Sequence, residues 1–185
     1  MPIRNALGAL DKLPTRREPI FIAATETGRL EDDNNMGSAV MVAHIIGELF
    51  IESRIKFTQF WNTRWSGELQ PQYKSGDALD NDNKLLPVGR AIAMMGAISE
   101  GQLVKTSSSD KSILAYVAND KTSGTTPVIL INRGSAEYEA TLEIAGTSIA
   151  ALTLLAGTGE SDMNPRYTHP PLSINNTTFA GVLDR

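Results

Sequence analysis

Glu26 closes a short apolar run. The segment Phe21 to Gly28, FIAATETG, follows Pro19 and ends in a glycine, and a run of this length reads as a strand buried on both faces. Alternation would place Ile22, Ala24 and Glu26 on one face and Phe21, Ala23 and Thr25 on the other, so that the carboxylate crowns a column of apolar side chains. A carboxylate there either does chemistry or caps nearby backbone. Chemistry in parallel α/β architectures, above all in (β/α)8 barrels, gathers at the C-terminal ends of strands, where this glutamate falls. A second group closes the next apolar run. Lys56 to Asn62, KFTQFWN, reads as another buried strand, and Trp61, Asn62, Arg64 and Trp65 stand at its end and in the loop beyond. The plain alternatives are a core tryptophan and a solvated arginine.

Other groupings suggest metal ligation and fall short of it. His44 and Glu48 lie one helical turn apart, but two ligands without a third make no site, and a solvated helix face is expected. Asp77, Asp80 and Asp82 lack the glycine at the sixth position and the glutamate at the twelfth that a helix-loop-helix calcium site needs, so they read as turn-forming acids. His169, between Thr168 and Pro170, reads as a surface turn. No metal or cofactor is expected.

The elements that must carry these residues are legible from the spacing of apolar positions. Met1 to Arg17 reads as a short helix closed by Pro14. After the first strand, Asp32, Asp33, Asn34 and Asn35 are candidate N-caps for a helix over Met36 to Ser53, with Val40, Ala43, Ile46, Gly47 and Phe50 at helical spacing. A strand, a helix and a strand with so short a crossover imply parallel neighbours, which puts the ends marked by Glu26 and Trp61 on one rim. The polar stretch Ser66 to Lys84 reads as a loop over a site, and Leu85 to Ile98 as a helix opened by Pro87 with Val88, Ile92, Met95 and Ile98 along one face.

Past Gly101 the period becomes alternating. Leu103 to Thr106, Ile113 to Val117, Val128 to Ile131, Tyr138 to Ile144, Ile149 to Leu155, Leu172 to Ile174 and Thr178 to Val182 read as the strands of an antiparallel sandwich, with a boundary near Glu100 to Gln102. Asn175 and Asn176 each begin an N-glycosylation acceptor pattern.

Bulk properties narrow the partners. A formal net charge of −4 over 185 residues leaves no basic footprint for nucleic acid. No run approaches the roughly 18 apolar residues of a membrane span, and Met1 to Leu13 lacks the pattern of a signal peptide. Cysteine is absent, which removes thiolate chemistry and disulfides and leaves the compartment open.

Taken together, TETG, FWNTRW, ALDNDNKLLPVGRA and a closing sandwich with SDMNPRYTHPP resemble the C-terminal part of a retaining glycoside hydrolase of the large (β/α)8-barrel clan. They look most like the agarases and porphyranases of glycoside hydrolase family 86, with families 39, 51 and 79 also similar. The resemblance implies an α/β plus all-β chain: residues 1–101 as the last two βα units of the barrel, and residues 102–185 as an antiparallel β-sandwich. It implies Glu26 as nucleophile, Trp61 and Trp65 as sugar platforms, and Asn62 and Arg64 as hydroxyl ligands. The partner would be a β-linked polysaccharide or oligosaccharide such as agarose or porphyran, and the parent enzyme a secreted or periplasmic one. Two features depart from the pattern. No Asn-Glu pair occurs to supply the acid/base, and only about 100 residues precede the sandwich where a barrel takes about 250. An incomplete, inactive piece of the enzyme is therefore expected; a non-catalytic carbohydrate-binding or structural protein is the other reading.

Overall fold

The computed structural model describes residues 5, 8–12, 22–27, 34–60, 63–64, 77–104, 106–119, 124, 126–134, 136, 138–143, 154–156, 158–168, 174–175 and 178–183. Of residues 25–27, 138–143, 154, 156, 174, 175 and 178–183 only the backbone is described. In chain order the elements are β1 (Ile22–Thr27), α1 (Met36–Ile51), β2 (Ile55–Phe60), α2 (Pro87–Gly96), β3 (Gln102–Val104), β4 (Ile113–Asn119), β5 (Val128–Asn132), β6 (Tyr138–Glu143), β7 (Leu154–Ala156), β8 (Arg166–Thr168), β9 (Ile174–Asn175) and β10 (Thr178–Leu183). Of the expected first helix, residues 5 and 8–10 are described as helical.

β1 and β2 pair in parallel, as the short crossover requires, and α1 returns the chain from the end of one to the start of the other. Asn35 caps α1 by accepting a hydrogen bond from the Ser38 amide at 2.9 Å, which satisfies one of the free donors of the first turn. The next helix begins at Pro87, where a missing amide proton costs nothing. Of the four positions expected along one face, Val88, Met95 and Ile98 are each 1% exposed, and Ile92 is partly buried against the same core.

The later strands are antiparallel throughout, in the orders β3-β4-β5, β6-β10-β9 and β7-β8. β8 was not expected from the sequence, because RYT is only three residues long and lies in a stretch punctuated by Pro165 and Pro170. It exists through its pairing with β7, in which Leu155 faces Tyr167.

One apolar cluster joins both halves of the chain. Met36, Val42, Ile46, Val88 and Met95 from the helices pack with Tyr116, Ala118, Ile129, Ile131 and Leu155 from the strands. The close approach at its centre rests on Gly47, because a Cβ there would meet the Tyr116 ring.

Two sequence expectations need correction. β1 and β2 are not buried on both faces: Ala23, Lys56, Phe57 and Gln59 are exposed, since the described part of this sheet has only two strands. The helix face bearing His44 and Glu48 is not simply solvated either. Tyr116 Oη lies 3.5 Å from both the His44 carbonyl and Glu48 Oε1, and Arg133 Nη1 donates to His44 Nδ1 at 3.4 Å. The antiparallel half covers this face, which no local pattern in the helix reveals.

Candidate active site

The parallel register places Thr27, next to Glu26, opposite Phe60, the last residue of β2. Between the pairs Ala24–Thr58 and Thr27–Phe60, β1 advances three residues while β2 advances two. The irregularity falls on Thr25 and Glu26. The backbone pairing there departs from the regular ladder expected from a simple alternating strand. The side chain of Glu26 and residues Trp61, Asn62 and Trp65 lie outside the described residues.

Arg64 is described, and it is exposed. Its Nη1 donates to Asn83 Oδ1 at 3.0 Å and to the Asn81 carbonyl at 3.4 Å, so the turn beyond the loop holds the guanidinium. That turn is built by Asp80, whose Oδ1 accepts from the amides of Asp82 and Lys84 at 2.9 and 2.8 Å. Asn83 adopts the left-handed conformation, φ 62°, that asparagine tolerates well. The turn-forming role expected for Asp80 is thus present. Asp77 differs from it: the residue is 1% exposed, too deep for a surface turn.

Behind the rim lies a polar junction that sequence reasoning missed. The buried Asn34 donates from Nδ2 to the Asp77 carbonyl at 2.6 Å and accepts at Oδ1 from the Val88 amide at 3.1 Å. One side chain therefore ties the loop after β1, the loop after β2 and the first turn of α2. The Thr63 carbonyl accepts from the amides of Ala78 and Leu79 at 3.1 and 3.0 Å, and the Ala78 carbonyl accepts from the Leu86 amide at 3.0 Å. Gly89 is required beside this path, because a Cβ there would strike the Ala78 carbonyl. The only sequence signal was the run of four candidate caps. Asn35 took the cap and left Asn34 for the junction.

Among the described residues, the rim thus sets the backbone end of β1 beside the end of β2 and anchors Arg64 on the turn at Asn81 and Asn83. A cavity of about 60 Å³ lies elsewhere, between α1, α2 and β5, and is lined by Met36, Ala39, Ala43, Met95, Ile131 and Leu155 among others. None of its described lining residues is titratable, so they offer it no acid–base chemistry. Among the described residues, no cluster of His, Cys, Asp or Glu could hold a metal ion.

The fold is similar to that of solved glycoside hydrolases. Over 91% of its length the chain matches the glycoside hydrolase family 30 subfamily 8 xylanase Xyn30A from Clostridium acetobutylicum, with a TM-score of 0.61 and 16% identity, covering 44% of that chain. Over 88% it matches a family 30 endoxylanase from Clostridium papyrosolvens C71, with a TM-score of 0.58 and 13% identity, covering 39% of that chain. The chain spans less than half the length of either enzyme. No protein-family model and no curated protein matches the sequence.

Proposed function

We propose that this chain is part of a retaining glycoside hydrolase that cleaves a β-linked polysaccharide by double displacement, with Glu26 as nucleophile. The observation that carries the reading is the parallel register, which sets the end of β1 beside the end of β2 in a fold similar to two family 30 enzymes. Residues 1–101 then supply the last two βα units of a barrel, and residues 102–185 a β-sandwich. Trp61 and Trp65 offer apolar plates to the C–H face of a sugar ring, while Asn62 and Arg64 bond its hydroxyls. Arg64 suits that task because Asn81 and Asn83 hold its guanidinium.

A retaining enzyme needs two carboxyl groups about 5 to 5.5 Å apart, one attacking the anomeric carbon and one acting as acid and then base. The second is assigned to polypeptide outside these 185 residues, since the Asn-Glu pair that ends the acid/base strand in similar enzymes does not occur here. For the polysaccharide, the motifs favour agarose or porphyran, and the structural likeness favours xylan, the substrate class named for both neighbours.

The test uses the parent enzyme and its Glu26→Gln form on xylan, agarose and porphyran, with a fluorinated sugar to trap the glycosyl-enzyme and mass mapping of the labelled peptide. Loss of the attacking charge should cost several powers of ten in kcat, each tenfold being about 1.4 kcal/mol of barrier, with little change in binding. Near-parental turnover, or a label on another carboxylate, removes Glu26 from the role.

A further inference from the structure

Where α1 meets the antiparallel half, one titratable ring is held by elements far apart in the chain. His44 is half-buried on α1, and Arg133, just beyond the end of β5, donates from Nη1 to its Nδ1 at 3.4 Å. The same guanidinium donates from Nη2 to the Lys111 carbonyl at 2.8 Å, ahead of β4. The Arg133 amide donates to the Ser112 carbonyl at 2.9 Å. One arginine therefore ties to the helix the end of the β4–β5 pair that carries Lys111 and Arg133. Arginine has no acceptor and keeps its charge throughout, so the bond to the ring exists only while Nδ1 is bare.

Two further groups face His44. Glu48 lies one turn on along α1, and Tyr116 of β4 sets its Oη 3.5 Å from both Glu48 Oε1 and the His44 carbonyl. A hydroxyl carries one proton, so Tyr116 serves only one of these acceptors at a time. Lys111 is exposed and enters through its carbonyl. Among the described residues, the charges acting on His44 are those of Arg133 and Glu48: burial and then Arg133 hold the imidazole below its ordinary value, with Glu48 opposing. The ring is therefore neutral near pH 7 and takes its proton on the acid side, where the new cation repels Arg133 and attracts the Glu48 carboxylate. The tyrosine ring cannot follow the arginine. It is 3% exposed and lies against Gly47, where a Cβ would collide with it, whereas the Arg133 side chain is exposed and can turn into water.

We propose that His44, Glu48, Tyr116 and Arg133 form a proton-operated clasp between α1 and the β4–β5 pair. With His44 neutral, Arg133 fastens its end of that pair to α1 and Tyr116 bonds Glu48. With His44 protonated, the imidazolium pairs with Glu48, Tyr116 turns to the His44 carbonyl, and Arg133 releases that end while the core stays closed. The clasp involves α1, β4 and β5 alone, so a result for Glu26 in hydrolysis leaves it untouched.

The test follows the full chain and its His44→Gln and His44→Lys forms from about pH 7.5 to about pH 5 by amide hydrogen exchange, corrected for the intrinsic effect of pH, with the imidazole NMR signals giving the His44 titration. The Ile113 and Arg133 amides, which bond the Asp110 and Ser112 carbonyls, report the clasped end, and the Ala118 amide, which bonds the Pro127 carbonyl, reports the opposite end of the strand pair. In the parent, protection at Ile113 and Arg133 should fall roughly tenfold with the His44 midpoint, the scale of one lost hydrogen bond to a charged group, while Ala118 holds. Glutamine keeps an acceptor for Arg133 and takes no proton, so that form should stay protected across the range. Lysine carries the charge throughout and should be open already at the upper pH. Unchanged protection in the parent, a fall with a different midpoint, or an equal fall in the glutamine form overturns the proposal. So does a loss that Ala118 shares in equal measure, which is general loosening rather than release of one end. If the lysine form does not fold, the parent and the glutamine form decide by the same criteria.

Discussion

β2, IKFTQF, and β4, ILAYVAN, are both short strands rich in β-formers, yet they end in different environments. β2 leaves Lys56, Phe57 and Gln59 exposed, whereas β4 buries Ile113, Tyr116 and Ala118. The cause lies in their neighbours. β4 is the middle strand of three and sets Tyr116 against α1, while β2 has one described partner and contributes Phe60 to the edge of the core. Apolar content therefore shows that a strand wants burial, and the surrounding elements decide whether it is met.

Truncating one large apolar side chain in each region tests this difference. Met95→Ala, at a site 1% exposed, should cost about 2–5 kcal/mol by enlarging the gap that Met95 lines between the helices and β5. Phe57→Ala, at a site 53% exposed, should cost less than about 1 kcal/mol despite removing a larger group. Urea unfolding of the two variants measures both, and equal losses would show that the parallel pair is covered after all.

A smaller effect is expected from Gly89→Ala. Alanine favours the helix over glycine by up to about 1 kcal/mol, but its Cβ would strike the Ala78 carbonyl, which cannot rotate away as a side chain could. Moving that backbone should leave a net loss of about 1–2 kcal/mol in thermal unfolding. A gain in stability would mean that the path behind the rim yields readily.

The smallest effect concerns the covered face of α1. His44 titrates below its ordinary value of 6.5, first because of burial and then because of the Arg133 cation, with Glu48 opposing. Tyr116, raised by burial and then by Glu48, stays neutral throughout this range. The unfolded chain takes up the proton first, so this stabilisation is complete above about pH 6.5 and is lost as pH falls through the folded-state pKa. Arg133 can only donate, so the neutral ring must present a bare Nδ1 to it, and protonation ends that bond. Thermal unfolding between pH 7.5 and 5 should show a decline in Tm that is reduced in His44→Gln. An unchanged slope would place the acid sensitivity elsewhere.

The local elements were legible along the chain. The helical spacing of Val88, Met95 and Ile98, the Pro87 start, the Asn35 cap and the short crossover between β1 and β2 rest on contacts within a turn or between successive segments. Period and cap chemistry encode these directly. What each element meets was settled by packing between distant segments. It set the bulge at Thr25 and Glu26, the junction at Asn34, the cover over His44 and Glu48, and the carbonyls of Glu160 and Asp162 at the head of α1. Each joins residues far apart in the chain, or depends on the register of two strands. Neither is written in the spacing of residues along one element, because such contacts form only when separate elements share one core.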